Sequence, residues 1–305
     1  MKPTSAPPSL SLPDPVTPPR GVLAQVRTFG RMIKFSHTVF ALPFALAAAA
    51  MASRTHALTW PRLGAIVVAM AAARTAAMGW NRIVDRHFDA RNPRTANREI
   101  PRGLVPLRTA VALVLLSSAI FIAVSAYLGP LCLALSPVAL GLVLGYSYTK
   151  RFTWLCHLVL GFAIAAGPAG AWIAVTGGLA APALWLMLAV TTWIGGFDIL
   201  YALADRGFDE SAQLRSIPVR FGVKGALWIS GGLHGVTLVA LVFTGLSGGL
   251  QAIYFAGLAV IAGILVWEHS ILRPSDLSRL DMAFFNLNGY VSVAFLVATL
   301  TDLWL

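Results

Sequence analysis

Two short segments of the chain hold most of its acidic residues, and each follows a long apolar run. The first acidic segment reads NRIVDRHFDARNPRTANRE from Asn81, and the second reads FDILYALADRGFDE from Phe197. Together they contain seven of the twelve aspartates and glutamates. Three positions of the first are separated by steps of four residues: Asn81, Asp85 and Asp89. Three of the second are separated by steps of seven and four, with Tyr201 beside them: Asp198, Asp205 and Asp209.

These spacings place each set of carboxylates on one face of a helix that continues past the apolar run. Neighbouring carboxylates about 6 Å apart repel by roughly 3 kcal/mol at an effective dielectric near 20. No lysine is interspersed on the acidic faces to offset this repulsion. Oxygen ligands too few to enclose an ion favour Mg²⁺, which binds through one or two carboxylates plus substrate phosphates. The sequence therefore predicts magnesium at both segments.

Basic residues surround the acidic ones, as a diphosphate bound beside a metal requires. Those near the two segments are Arg82, Arg86, Arg91, Arg94, Arg98, Arg102, Arg206 and Arg215. Lys150 and Arg151 follow in YSYTKRFTW, which also contains Tyr148. The alternative for any one of these cations is a role in membrane topology or in contact with lipid headgroups.

Arg74 differs from the other arginines because it lies inside an apolar run. It precedes Asn81 by seven residues, which puts it on the same helical face and ~10 Å deeper. An arginine inside a span costs at least ~2.5–3.5 kcal/mol and should face a cavity. We therefore expect a pocket that runs inward from the acidic segments. The alternative is a structural ion pair that touches no substrate.

The elements that must position these residues are membrane helices. The chain has 305 residues, of which 57% are hydrophobic and 11% charged, with a mean hydropathy of +0.75. These values exclude a soluble domain. Apolar runs of about 20 residues predict an all-α polytopic membrane protein of about nine transmembrane helices, which would surround the central cavity that Arg74 indicates. The predicted spans are 32–52, 60–80, 108–128, 130–148, 153–175, 181–198, 224–245, 249–268 and 283–303. Residues 31–305 form the transmembrane domain, and the Pro-rich residues 1–30 are predicted to be a disordered cytosolic tail.

The net charge of +11 follows from membrane topology and does not indicate nucleic-acid binding. Of the 23 lysines and arginines, 20 fall in the N-terminal segment or in loops on its side of the membrane. The positive-inside rule places this side in the cytoplasm of a bacterial inner membrane. The two cysteines lie in or beside spans and imply no disulfide framework.

A pocket with metal-binding carboxylates at one end and apolar helices beyond suits an amphiphilic substrate in the bilayer. The chemistry would be ionisation of an allylic diphosphate, with the metal neutralising the leaving group. An ion-coupled transporter is the alternative class, but it predicts charges near the midplane on broken helices. Here Arg74 is the clear mid-span charge.

Three segments resemble the motifs of the intramembrane aromatic prenyltransferases, the 4-hydroxybenzoate polyprenyltransferase superfamily. NRIVDRHFD is similar to its NxxxDxxxD motif, DILYALADRGFD to its DxxYAxxDxxxD motif, and YSYTKRFTW to its YxYTKR segment. The resemblance covers nearly all of residues 30–303. It implies Mg²⁺-dependent transfer of a polyprenyl group from a polyprenyl diphosphate to an aromatic acid, 4-hydroxybenzoate, in ubiquinone biosynthesis.

The resemblance also implies roles for individual residues. Those expected to bind the two metals are Asn81, Asp85, Asp89, Asp205 and Asp209. Those expected at the diphosphate are Lys150, Arg98, Arg94 and Tyr148. Those expected at the acceptor or the reacting atoms are Asp198, Tyr201 and Arg74, whose partner would be the acceptor carboxylate.

Some details depart from the common pattern of this family. The first motif starts NR rather than ND, NREIP replaces NRP, and the first span opens IKFSHTVFALPFA. These features resemble a bacterial branch in which some members are linked to menaquinone and use a dihydroxynaphthoate acceptor. That acceptor is therefore the alternative to 4-hydroxybenzoate. A prenyltransferase for haem or chlorophyllide is a further alternative, against which Arg74 argues.

Overall fold

The computed structural model describes residues 21–33, 41–280 and 282–305, and these are helical throughout apart from connecting loops. The α-helices are α1 Val22–Met32, α2 Leu42–Ala52, α3 Trp60–Val84, α4 Arg86–Arg91, α5 Leu107–Leu128, α6 Pro130–Gly145, α7 Cys156–Thr176, α8 Ala181–Ala202, α9 Arg206–Ser211, α10 Ile217–Gly248, α11 Ala252–Ser270 and α12 Asn288–Trp304. Two 3-10 helices, Tyr146–Arg151 and Leu203–Asp205, and a π-helix, Met282–Leu287, join some of them. The predicted all-α membrane architecture is confirmed.

Seven of the described helices are long and apolar enough to cross a membrane: α3, α5, α6 with its 3-10 extension, α7, α8 with α9, α10 and α11. Helix α2 is apolar but has only 11 residues, and residues 34–40 of the predicted first span lie outside the described residues. Helix α12 has 17 residues. The predicted number of nine spans is therefore not reached in the described part of the chain.

The first helix overlaps the segment predicted to be a tail. Helix α1 spans Val22–Met32, whereas residues 1–20 lie outside the described residues. Phe29 and Met32 are buried and belong to one hydrophobic cluster with Val114 of α5. This apolar contact holds α1 against the bundle. The Pro-rich composition of the preceding residues did not indicate that a packed helix begins at Val22.

Small residues allow the central helices to approach each other closely. A Cβ built on Gly161 of α7 would lie 2.2 Å from the carbonyl oxygen of Thr191 in α8. Lipid is as apolar as a leucine side chain, so packing at such small-residue contacts drives association between membrane helices. Phe44 of α2 packs between Trp193 of α8, whose tilted ring centroid is 4.9 Å away, and Phe295 of α12, on which it stacks at 4.6 Å.

The helices that carry the acidic segments do not continue as predicted. Helix α3 ends at Val84, and Asp85 separates it from the short helix α4. Asp205 separates α8 and its 3-10 turn from α9 in the same way. The hydrogen bonds from Asp85 N to Asn81 O, 2.9 Å, and from Asp89 N to Asp85 O, 2.8 Å, keep helical spacing across the first break. The carboxylates therefore stay together although each helix is interrupted.

Candidate active site

A cavity of about 680 Å³ runs along the membrane helices from the two acidic segments toward the opposite end of the bundle. At one end it is lined by Asp85 and Asp205. Toward the other end its walls are apolar and include Ile66 near the start of α3 and Leu179 before α8. The cavity thus combines a charged end with a hydrocarbon-like interior in one space.

The first acidic segment supplies three oxygen-bearing side chains that lie close together. Asn81 Nδ2 donates a hydrogen bond of 2.9 Å to Asp85 Oδ2. Arg98 Nη1 donates one of 2.6 Å to Asp89 Oδ1, and an Arg151 Nη2 nitrogen lies 3.5 Å from Asp85 Oδ1. The predicted set is brought together, with a cation beside each of its carboxylates.

The second acidic segment is held by residues of the first. Arg94 donates two hydrogen bonds to the Asp205 carboxylate, one from Nε at 2.8 Å and one from a second guanidinium nitrogen. Its remaining nitrogen donates to the Tyr201 hydroxyl at 2.5 Å, and the guanidinium lies 4.7 Å above the Tyr201 ring. Asn92 Nδ2 donates to Asp205 Oδ1 at 3.0 Å. The two segments, more than 100 residues apart in sequence, therefore form one site.

Lys150 completes the pairing of acids with bases. Its Nζ lies 3.0 Å from Asp209 Oδ2, and the Asp209 side chain is almost fully buried. Asp85, Asp89, Asp205 and Asp209 thus each have one lysine or arginine partner. These four ion pairs lie at the end of the cavity. Their cations can bind an anionic ligand, and their carboxylates can bind a metal ion.

The donor set fits Mg²⁺. Asp89 is buried, and its Oδ2 has no hydrogen-bond partner among the described residues. A buried carboxylate oxygen is costly unless it is paired. Burial, and then the Asp89 carboxylate, raise the pKa of Asp85 to about 6 despite the nearby Arg151 and Lys150. Both observations describe buried carboxylate oxygens that the protein stabilises only in part, and a hard cation would bind there favourably.

Eleven of the twelve predicted site residues line the cavity, and Tyr148 is the exception. Its side chain is exposed, and Arg151 lies 5.1 Å above its ring. The 3-10 turn directs Tyr146, two residues earlier, into the cavity instead. Arg74 lies in the cavity wall, as expected from its position before Asn81.

His157 is a site residue that the sequence analysis did not identify. It is fully buried near the start of α7, and its Nδ1 lies 2.6 Å from Asp198 Oδ2. The Ile217 backbone N–H donates to His157 Nε2 at 3.4 Å. That bond leaves the ring proton on Nδ1, so His157 donates to Asp198. A polar residue next to YSYTKRFTW was the available signal, but the pairing of α7 with α8 was needed to find its partner.

Comparison with known proteins identifies the family of the chain. Residues 41–290 match the model of the UbiA prenyltransferase family. The chain belongs to this family. The 4-hydroxybenzoate octaprenyltransferase of Vibrio cholerae serotype O1 is 33% identical over 236 residues, which cover 76% of this chain and 81% of that protein.

Solved structures share the fold. A UbiA homolog from Aeropyrum pernix K1, in its apo form, superimposes with a TM-score of 0.80 at 34% identity and covers 88% of this chain and 98% of its own. A UbiA homolog from Archaeoglobus fulgidus bound to DMAPP and Mg²⁺ superimposes with a TM-score of 0.69 at 17% identity and covers 91% of this chain and 99% of its own. The protein is therefore a prenyltransferase of the membrane-embedded UbiA fold.

Proposed function

We propose that the protein transfers a polyprenyl group from an allylic polyprenyl diphosphate to 4-hydroxybenzoate, with Mg²⁺ as cofactor. The observation that carries the proposal is the meeting of two carboxylate sets at the charged end of an otherwise apolar cavity. Such a cavity suits a ligand with an anionic head and a long hydrocarbon tail. The name of the Vibrio cholerae relative supports the acceptor assignment.

The residues at the charged end would hold the diphosphate. Arg94, Arg98, Arg151 and Lys150 already converge there as partners of the four aspartates. Exchange of a carboxylate partner for phosphate oxygens would let each cation bind the leaving group through charge-assisted hydrogen bonds. Asp85, Asp89, Asp205 and Asp209, with Asn81, would hold Mg²⁺. When bound, Mg²⁺ neutralises the charge that develops on the departing diphosphate.

The acceptor would lie between the charged end and the apolar interior. Arg74 lines this region, and its planar fork suits the carboxylate of 4-hydroxybenzoate. Asp198 also lines the cavity, and its carboxylate lies 2.6 Å from His157 Nδ1. In the reaction the bond between the allylic carbon and the diphosphate oxygen breaks, and the ring carbon bonds to the allylic carbon. Asp198, held by His157, would accept the proton that the ring then loses.

The test is transfer by membranes that contain the protein. Supplied with a polyprenyl diphosphate and radiolabelled 4-hydroxybenzoate, they should form the prenylated acid with Mg²⁺ and none in excess EDTA. Asp85→Ala and Asp205→Ala should abolish product. Asp276→Ala should not, because Asp276 lies in an exposed loop away from the cavity. Full turnover in EDTA would contradict the two-metal site.

The same membranes separate the acceptors. A dihydroxynaphthoate acid replaces 4-hydroxybenzoate in a parallel reaction with the same donor. A higher kcat/KM for the bicyclic acid would identify that acid as the acceptor in place of 4-hydroxybenzoate. The assignments of the donor and the metal would not change. Transfer to neither acid, with the diphosphate still consumed, would contradict the aromatic-acid assignment.

A further inference from the structure

A second cluster of polar residues lies among the membrane helices and does not line the cavity. It consists of His234 of α10 with Glu268 and His269 of α11. His234 and Glu268 are buried, with 2% and 0% of their surface exposed, and His269 is half-buried. An ionised glutamate in such a place is costly unless a cation lies beside it.

Hydrogen bonds to neighbouring groups fix the orientation of two of the three side chains. His234 Nε2 lies 3.3 Å from the Trp193 carbonyl oxygen, which can only accept, so the ring proton is on Nε2 and the Nδ1 lone pair points into the cluster. Trp193 Nε1 donates to Asn288 Oδ1 at 2.8 Å, and Asn288 Nδ2 donates to Glu268 Oε1 at 2.8 Å. These two hydrogen bonds hold Glu268 Oε1, so that Glu268 Oε2 faces the histidines.

Three potential ligand atoms therefore converge. His234 Nδ1 lies 3.0 Å from His269 Nε2 and 3.5 Å from Glu268 Oε2, and all three lie within 4.8 Å of one another. Glu268 Oε2 is buried and has no hydrogen-bond partner among the described residues. His269 Nε2 can donate a hydrogen bond to the His234 Nδ1 lone pair, but that bond leaves Glu268 Oε2 without a donor. A metal ion among the three atoms would bind both nitrogens and the carboxylate oxygen at once.

Two of the three separations, 3.0 and 3.5 Å, are close to those of a transition-metal site. Zinc bonds nitrogen and oxygen ligands at about 2.0–2.2 Å, so the ligand atoms of a tetrahedral site lie roughly 3.3–3.5 Å apart. Metal-bound histidines also donate their other ring N–H to a carbonyl or carboxylate, as His234 does to Trp193. Two imidazoles and one carboxylate form a ligand set that suits Zn²⁺ rather than Mg²⁺.

We propose that His234, Glu268 and His269 bind a zinc ion distinct from the magnesium of the prenyl transfer site. The ion would have three protein ligands and a water molecule in the fourth position. It would connect α10 to α11 directly and, through Asn288 and Trp193, both to α12 and α8. Access would be from His269, the least buried of the three ligands.

The close packing of α8 supports this geometry. A Cβ built on Gly196 would lie 2.4 Å from the His234 ring atoms Nε2 and Cδ2. The ring is thus held against α8 in the orientation that directs Nδ1 toward Glu268. A ligand whose orientation is fixed before the metal enters loses less freedom on binding.

Metal content tests the proposal. The protein is purified through a tag without histidine, treated with EDTA, equilibrated with micromolar zinc and desalted. We expect about one zinc per chain by mass spectrometry, and a visible absorption band when cobalt replaces zinc. Glu268→Gln preserves side-chain size and the bond to Asn288, and His269→Gln changes the most accessible ligand; both should lose at least ten-fold in zinc affinity. His56→Gln, an exposed histidine at a distance from the cluster, should retain zinc, as should Asp85→Ala.

A thermal scan gives a second readout. Zinc should raise the unfolding temperature of the wild-type protein, because a ligand that binds only the folded state stabilises it. It should have a much smaller effect on Glu268→Gln and His269→Gln. No zinc in the wild-type protein, or equal zinc in both variants, would overturn the proposal and leave a proton as the charge between His234 and Glu268. Either result is independent of prenyl transfer.

Discussion

Arg74 lies in the cavity wall on α3, about two helical turns from Asn81. A diphosphate held at the acidic segments would lie above it, whereas an aromatic ring docked beneath could present a carboxylate. An arginine binds a carboxylate with two parallel hydrogen bonds, which a lysine cannot reproduce. We predict that Arg74→Lys raises the KM of the acceptor several-fold or more and leaves the KM of the donor nearly unchanged. Initial rates with each substrate varied in turn provide the measurement, and a rise in the donor's KM instead would place Arg74 at the diphosphate.

In the proposed reaction His157 positions Asp198 through their hydrogen bond, and a double-mutant cycle tests whether the two residues act together. General acid–base groups contribute roughly 10²–10⁴-fold to rate, so Asp198→Asn should lower kcat by about that factor. His157→Ala should lower kcat less and leave the donor's KM unchanged, and His157→Asn, which retains an N–H donor, should recover part of the loss. If the two residues act together, His157→Ala adds little in an Asp198→Asn background. Additive losses would show that His157 stabilises the protein independently of Asp198.

The residues of the site differ in how far the sequence reveals them. Asn81, Asp85 and Asp89 could be predicted because their relation is local and follows from helical spacing. Two contacts join segments that are far apart in the chain: the hydrogen bond from Arg94 to Asp205 and the hydrogen bond between His157 and Asp198. Such pairings depend on which helices are neighbours, which no local pattern states. The placement of Tyr148 outside the cavity depends on the local 3-10 turn, which the spacing did not predict.

At the scale of the helices, the two acidic segments share one construction. In each, an aspartate stands between a long helix and a six-residue helix that carries the next carboxylate, Asp89 in α4 or Asp209 in α9. Asp85 follows α3 directly, whereas Asp205 ends the 3-10 turn that follows α8. The local sequences, DRHFD and DRGFD, differ at one position. The apolar runs predicted the long helices correctly, because about twenty apolar residues suffice to span a bilayer. The interruptions at Asp85 and Asp205 were missed, because hydropathy does not report backbone breaks.

Helix contacts at glycine give a prediction at the same scale. Gly161 of α7 faces the Thr191 carbonyl of α8, and an added Cβ would lie 2.2 Å from that oxygen. Backbone cannot move aside as a side chain can, so Gly161→Ala should separate α7 from α8. We predict a loss of stability of about 1–3 kcal/mol, measured by unfolding in detergent, together with reduced activity because His157 and Asp198 lie on these two helices. Gly141→Ala on α6, where a Cβ meets nothing within 4 Å, is the matched control and should be near neutral.

At the scale of the whole molecule, charge is distributed unequally between the two ends. The ion pairs of both acidic segments and of Lys150 lie at the charged end of the cavity. At the opposite end, Arg54 is satisfied by the carbonyl oxygens of Gly248 and Gly249, each 2.9 Å from its Nη1. Sequence analysis assigned the segment between α3 and α5 and the segment between α8 and α10 to the same side of the membrane. The bonds from Asn92 and Arg94 to Asp205 show that these two segments are in contact. The positive-inside rule predicts that these segments face the cytoplasm.

Cysteine labelling tests that orientation, and the structure selects the positions. Asn92 is buried and bonded to Asp205, so the exposed Asn97 is the better site in the first segment, with Gly207 in the second and Thr55 at the opposite end. In a background in which Cys132 and Cys156 are replaced by alanine, an impermeant maleimide applied to intact cells should label Thr55→Cys and leave the other two unlabelled. Permeabilisation should then expose Asn97→Cys and Gly207→Cys. Twenty basic residues on one side make the cytoplasm the expected location of the charged end, where a soluble aromatic acid and a diphosphate would reach the cavity. Labelling of Asn97→Cys in intact cells would reverse the orientation and place the charged end of the cavity on the outer face.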